Sequence, residues 1–370
     1  MPDEMYGSVP IWGFRMGRSP TKLHFVCGIA EVARRAGVSP ATASRALTGR
    51  GYVAEKTRLR VQQAARELGY VASSSAATLA TGRTDTIGVV MPTADRWFFA
   101  EVLSGIQDAL IEHRHDLALY GAPPESAQRA HIFDYALARK RFDGIIAVGI
   151  EPSAHEMERL IALGKPLVSV GGHDLGASSI SIDDLAAGRV ATEHLIDLGH
   201  TDIVFLGGDH DGRRTSYGDA LRLEGYQRAM VAAGLADYVR HHPTEVTTPG
   251  SYTEATRVLG DRRSRPTGIV AVCDEVAVGT IIAARRLGVA VPNQLSVVGI
   301  DDHEYADMFG LTTIQQRPYE QGRAAVQLLM WQLDSPDAAP QRIRESAPLY
   351  VRNSTFAVDV DSSAIVRGSA

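Results

Sequence analysis

Apolar positions near the start of the chain recur at the spacing of a helix face. Ile29, Val32, Ala33 and Ala36 fall at i, i+3, i+4 and i+7, and the run stops at Gly37. Ser39 as N-cap and Pro40 as first helical residue predict a second helix running to about Leu47, before Gly49. A third pattern puts Val61, Ala64, Ala65 and Leu68 on one face and ends at Gly69. "ASSSAATLATGRT" follows, with the small and polar composition of a linker. From Thr86 the texture changes, and short apolar runs alternate with helical patterns. "TIGVVM" precedes a helix over Phe99–Glu112, "LALYG" one over Ala127–Arg139, and "GIIAVG" one over His155–Leu163. "LVSVG" precedes Leu185–Leu198, "DIVFLGG" precedes Ala220–Ala233, and "GIVAV", Val276–Leu287 and "LSVVGI" close the series. Apolar strands alternating with helices predict parallel sheets covered on both faces. The length of the alternation predicts two doubly wound subdomains, with "DTIGVVMP" and "TDIVFLGG" as corresponding first strands. In such sheets ligands bind beyond the carboxyl ends of the strands, here in a cleft between the halves.

The first two helices, joined by a tight turn containing Gly37, have the form of a helix-turn-helix. Gly37 suits a left-handed turn position, and Ala33, Ala36 and Val38 are small enough for close helix packing. On the second helix Ala43, Ala46 and Leu47 face inward, leaving Pro40, Ala41, Thr42 and Arg45 pointing away. Arg45 can fork onto a guanine edge, while Thr42 and Ser44 can reach phosphates.

Charge supports a polyanionic partner for this module alone. The whole chain of 370 residues carries −5. Residues 25–83 hold nine Arg or Lys against three acids, or +6; residues 1–24 carry +1, which leaves −12 on residues 84–370. With 45% apolar and 22% charged residues the composition is that of an ordinary globular protein of two or three domains. No run of apolar residues is long enough to span a bilayer, and "MPDEMYGSVPIWGF" does not read as a secretory signal. Only Cys27 and Cys273 occur, which argues against a disulfide framework and fits a reducing cytoplasm. Nothing points to an enzyme, a cofactor or a metal. His113 and His115 are two apart on a helix and point in different directions. "GGDHDG" lacks a second cluster with metal-ligand spacing, "GGHDLG" lacks the dinucleotide glycine pattern, and no Gly-x-Ser-x-Gly elbow is present.

"IAEVARRAGVSPATASRALTGRGYVAEKTRLRVQQAARELGY" resembles, nearly position for position, the DNA-binding domain of the lactose-repressor (LacI/GalR) family. The likeness continues through "DTIGVVMP", "FDGII", "ATEHLIDLGH", "LRLEGY", "SVVGIDD", "LTTIQQ" and "VRNST", and spans about residues 27–356. It implies an α/β protein with an N-terminal all-α helix-turn-helix domain and a periplasmic-binding-protein-like body of two doubly wound subdomains. The expected layout is a disordered leader at 1–24, with Met16 a second possible start. A DNA-binding domain at 25–70, a hinge at 71–83, an effector-binding and dimerisation body at 84–358 and a tail at 359–370 follow. The implied function is a cytoplasmic, homodimeric repressor of double-stranded operator DNA, controlled by a carbohydrate effector bound between the subdomains. The tail "VDVDSSAIVRGSA" has no leucine heptad, so a dimer is expected rather than a tetramer. A periplasmic-type sugar-binding transport protein is the alternative for the body, but it would need a signal peptide and no DNA module.

The resemblance also implies roles for particular residues. Ser39, Pro40, Ala41, Thr42, Ser44 and Arg45 fall on the recognition helix and its cap, with Pro40, Ala41 and Arg45 at the base-reading positions. Tyr70 matches a tyrosine that approaches the DNA. Leu79 matches a leucine of the hinge helix that wedges into the minor groove, although Ser73, Ser74 and Ser75 replace the usual polar and basic run. For the effector, Phe98 and Phe99 match an aromatic pair, Arg222 an arginine that hydrogen-bonds the ligand, and Asp301 a carboxylate that accepts from sugar hydroxyls. Asp274 falls in a block where Cys273 replaces the usual Asn, and Tyr252 where an aromatic ring lies against the ligand. Gly171 stands in place of an Asp and Trp97 in place of a proline. A ligand closing the cleft would separate the hinge starts near Thr84.

Overall fold

The computed structural model describes residues 28–48, 51–70, 82–172, 176–208 and 216–358. The chain divides into two compact units, with the boundary between Gly82 and Arg83. Residues 71–81 of the expected hinge, including Leu79, and the expected leader and tail lie outside the described residues.

The first unit contains α1 (Ile29–Ala36), α2 (Pro40–Thr48) and α3 (Glu55–Glu67). Gly37 ends α1 in the left-handed region, at φ 62°, where a side chain would be strained. The Ser39 hydroxyl accepts the Thr42 N–H at 3.1 Å, so α2 is capped as its sequence predicts. Val32, Ala33, Ala36, Ala43, Ala46, Val61, Ala64 and Ala65 form a small shared core. Arg35 on α1 donates through Nε and Nη2 to Glu67 at the end of α3, at 3.1 and 2.7 Å.

The second unit has two sheets. The first runs β11-β5-β4-β3-β1-β2, and all its pairs are parallel. Its strands are β1 (Thr86–Met91), β2 (Asp116–Gly121), β3 (Gly144–Val148), β4 (Leu167–Val170), β5 (Ser178–Ser181) and β11 (Arg342–Arg344). The second runs β12-β10-β9-β8-β6-β7 and is parallel except for the β12 edge. Its strands are β6 (Ile203–Leu206), β7 (Arg240–His242), β8 (Gly268–Ala271), β9 (Ser296–Asp301), β10 (Thr312–Gln315) and β12 (Leu349–Tyr350). The central strands are apolar throughout because helices cover both faces.

The helices of this unit are α4 (Trp97–Glu112), α5 (Ala127–His131), α6 (Ala154–Ala162), α7 (Asp184–Asp197), α8 (Tyr217–Ala232), α9 (Thr248–Gly260), α10 (Asp274–Arg286), α11 (Ala306–Phe309) and α12 (Pro318–Asp334). The chain passes between the halves after β5, after β10 and after β11, so α12 and β11 return to the first half. Gly105 of α4 and Gly322 of α12 allow those helices to touch: a Cβ at Gly105 would lie 2.0 Å from the Tyr319 carbonyl oxygen. The helix expected over Ala127–Arg139 is broken. After α5 it passes through a π turn at Ile132–Ala136 and a 3-10 turn at Leu137–Arg139. Both turns keep Ile132, Phe133 and Leu137 buried.

Candidate DNA-reading face and effector cavity

Burial of Ala43 and Ala46 against α1 and α3 turns the opposite side of α2 outward. Ser39, Pro40, Ala41, Ser44 and Arg45 are exposed there, and Thr42 is half-buried. Ser39, Pro40, Ala41 and Thr42 form the N-terminal end of the helix, where backbone N–H groups and the helix dipole favour phosphate, while Arg45 lies in its last turn. Tyr70 is half-buried against the same core. Sequence reasoning missed Tyr52, between α2 and α3, whose ring is 94% exposed. Its only sequence signal was a lone aromatic in a basic loop.

In the second unit a cavity of about 900 Å³ opens between the sheets at the carboxyl ends of their strands. From the first half Arg96 and Phe99 follow β1, Pro123 and Glu125 follow β2, and Gly149 and Glu151 follow β3. The second half contributes Gly208 after β6, Asp219 on α8, and Thr244 and Glu245 after β7. Phe99 lines the cavity, and half-buried Phe98 packs edge-on against it with ring centroids 5.4 Å apart. Gly171 has φ +56°, and a Cβ there would lie 3.2 Å from the Phe98 ring. The space that an aspartate side chain would occupy at this position is thus already used by an aromatic ring.

Arg129 is locked in place. Its Nε and Nη2 donate to the two oxygens of Glu156 at 2.6 and 3.0 Å, and Nη2 also donates to the Glu151 carbonyl at 2.7 Å. Glu156 completes a capping box with Ser153 at the start of α6. Burial alone would raise its pKa, but the Arg129 and Ser153 hydrogen bonds outweigh burial and hold it below the usual carboxylate value.

Arg222 and Asp301 meet in a buried cluster that sits among the strand ends. Arg222 Nε donates to Asp184 at 2.8 Å and Nη1 to the Val272 carbonyl at 2.8 Å, and Nη1 lies 3.8 Å from Asp301. Burial pushes the Asp184 carboxyl up, against the pull of Arg222. Asp301 accepts from Gln316, a partner that the sequence did not mark. Burial raises Asp301 too, opposed by Arg222.

Asp274 opens α10 and spends both oxygens on loop anchoring. One accepts the Thr313 hydroxyl at 2.7 Å and the other the His303 N–H at 2.8 Å. Tyr252 sits one turn into α9 with its ring 5.8 Å from the Arg286 guanidinium, and does not line the cavity. Two further contacts cross between the halves: Arg96 Nε donates to Glu275 at 3.2 Å, and the Trp97 and His303 rings lie 4.8 Å apart.

The position of Asp274 gives a pH prediction. Burial, then the nearby charge of Asp301, raises its pKa on folding. A raised carboxyl pKa stabilises fully below the unfolded value, and that contribution is lost as pH rises through the folded value. Asp274→Asn can keep both contacts, with its carbonyl taking the His303 N–H and its amide reaching Thr313. Thermal melts of this variant from about pH 4 upward should show a flatter pH dependence than the parent, and an unchanged slope would rule out Asp274 as the titrating group.

Elsewhere, Asp85, His115 and Asp143 have ligand atoms within 4.8 Å of one another beside β1. Asp143 already accepts the Thr84 and Asp85 backbone N–H groups at 2.9–3.0 Å, which pins the chain where it enters the sheet. Among the described residues no helix is long and apolar enough to cross a membrane.

Residues 28–73 match the family described as bacterial regulatory proteins, lacI family, and residues 192–355 match the periplasmic binding protein-like domain. The chain is similar to the catabolite control protein A of Priestia megaterium, 31% identical over 305 residues, covering 81% of this chain and 91% of that protein. It is also similar to the ribose operon repressor of Escherichia coli strain K12, 30% identical over 334 residues, covering 88% of this chain and 98% of that protein. The fold is similar to that of the lac repressor dimer bound to operator and the anti-inducer ONPF, with a TM-score of 0.79 at 23% identity over 90% of this chain and 99% of that one. The match of the helix-turn-helix and the near full-length likeness to these two proteins lead to one conclusion: this chain belongs to the LacI family of bacterial regulatory proteins.

Proposed function

We propose that the protein is a cytoplasmic, homodimeric transcriptional repressor whose affinity for operator DNA is set by a small polyhydroxylated effector held in the cavity. One observation carries the reading: a basic helix-turn-helix with an exposed α2 N-terminus shares a chain with a body that holds a cavity at the strand ends of two sheets. The reading is supported by near full-length likeness to proteins named a ribose operon repressor and a catabolite control protein. The transport-protein alternative leaves residues 28–70 without a role.

Arg45 would fork onto a guanine in each half-site, with Pro40 and Ala41 reading by apolar contact or exclusion, and Ser39, Thr42, Ser44 and Tyr70 fixing the helix on phosphates. A two-fold dimer would make the operator pseudo-palindromic. In the body, Phe99 offers an apolar face for a sugar ring, backed by Phe98. The Arg222–Asp301 cluster, with Asp274 behind it, sets the relative position of the strand ends, and Tyr252 supports α9 against α10. The ligand can shift DNA affinity only by its differential affinity for the two arrangements of the halves, typically by about 1–3 kcal/mol.

Arg45→Ala tests the reading. Fluorescence anisotropy on the chain's own upstream DNA should show a loss of about 1–3 kcal/mol and relaxed preference at one base pair per half-site. Equal losses on operator and on scrambled DNA would reduce Arg45 to a phosphate contact, and no loss would overturn the assignment of α2.

A further inference from the structure

The polar lining of the cavity is weighted toward carboxylates. Arg96 and Arg129 reach it, and both are already engaged, by Glu275 and by Glu156. Facing them are Glu125, Asp134, Glu245 and Asp219. Glu125 and Glu245 are exposed at the mouth, and Asp134 lies near His155 and Arg159. Asp219 is different. It is only 8% exposed, yet among the described residues its carboxylate accepts no hydrogen bond and joins no ion pair within contact distance. Its backbone N–H goes to the capping hydroxyl of Ser216.

Asp219 lines the cavity, so a donor that enters can reach its carboxylate directly. Arg96 and Arg222 act on Asp219 electrostatically, but Arg96 Nε goes to Glu275, and Arg222 Nε and Nη1 go to Asp184 and the Val272 carbonyl, so neither is placed as a direct donor to it. Asp219 also sits in the first turn of α8, where the helix dipole favours the anion. Toward the described residues, the cavity therefore presents a carboxylate with its acceptor capacity unspent.

We propose that the effector is a sugar-like molecule carrying an ammonium group, and that Asp219 receives that group. This rests on the reading of the cavity as the effector site and adds the ligand's charge. A phosphorylated or carboxylated sugar would meet like charge from Asp219 and the mouth acids, and would be rejected. A neutral sugar could donate hydroxyls to Asp219 but would bring no charge to match it.

Isothermal titration of the full-length protein with matched probes separates these cases. D-glucosamine is compared with D-glucose, D-galactosamine with D-galactose, and glucose 6-phosphate serves as the anion, at mildly acidic pH where the amines are protonated. At least one amino sugar should bind about tenfold or more tightly than its neutral counterpart, with no binding of the phosphate. Asp219→Asn should erase that preference while its ligand-free melting temperature stays at or above that of the parent. A neutral sugar or the phosphate binding as tightly as the amine, or an Asp219→Asn variant that keeps the preference, would overturn the inference and leave the sugar-effector reading standing. No binding by any of the five probes would overturn the inference and count against the sugar-effector reading as well.

Discussion

Replacing Arg222 with methionine should lower the stability of the body by about 3–5 kcal/mol, the cost of removing one partner from a buried ion cluster. The Arg222 and Asp184 side chains are 9% and 11% exposed and share a 2.8 Å hydrogen bond, with Asp301 at 3.8 Å. Methionine fills most of the same space, so the loss would come from polar groups left without their cation. Asp184 would keep its burial without compensation, and the Val272 carbonyl would lose its donor. The cluster cannot relax by sliding, because α7 and α8 are in backbone contact: a Cβ at Gly188 would lie 2.0 Å from the Arg222 carbonyl oxygen, and one at Gly225 would lie 2.2 Å from that of Leu185. Urea denaturation should show a lower midpoint with an unchanged slope. Adding Asp184→Asn to Arg222→Met should recover part of the loss, since the orphaned charge is gone. A loss below about 1 kcal/mol in the single variant would mean that the cluster does not hold the strand ends in place.

Legibility in the sequence followed the strength of local signals. The three helices of the first unit carry clear periodicity, a Ser-Pro start and glycine stops, and each formed where expected. Strands buried on both faces, such as Gly144–Val148 and Gly268–Ala271, read as unbroken apolar runs. Of the edge strands, β2 was read from "LALYG", but the others were not. Arg240–His242 and Arg342–Arg344 are polar, and pairing with a neighbour rather than their own composition makes them strands. The helices Thr248–Gly260 and Pro318–Asp334 went unassigned although Pro opens each, because small residues blur their apolar faces. Without α9, the resemblance put Tyr252 against the ligand, whereas the helix turns it toward Arg286. The break after His131 depends on how Phe133 and Leu137 seat in the core, which no local pattern encodes.

The cavity was partly legible. Its place at the strand ends follows from the alternation alone, and Phe99 lines it. The charges that decide its chemistry were not visible, since Arg96, Arg129 and Asp219 lie in three separate segments that only the folded sheets bring together. Gly171 is the clearest departure with a physical cause: its backbone is left-handed and Phe98 fills the space in front of it.

The largest expected effect of all is on DNA binding. Residues 25–83 carry +6 against −12 on residues 84–370, so phosphate contacts should come from this module and the body should oppose them. Each neutralised phosphate releases a counterion, and about six such contacts lower affinity by roughly a thousandfold between about 50 and 200 mM salt. Base readout by α2 adds a component that salt does not remove. The most direct measurement is therefore an anisotropy titration of the full-length protein against its own upstream DNA and a scrambled duplex of equal length, at both salt concentrations. A sequence-specific repressor should lose about a thousandfold on both duplexes yet keep a preference of at least about a thousandfold for its own site. Equal affinity for the two duplexes, or affinity for the native site that salt leaves unchanged, would contradict the assignment of this chain as a DNA-reading regulator.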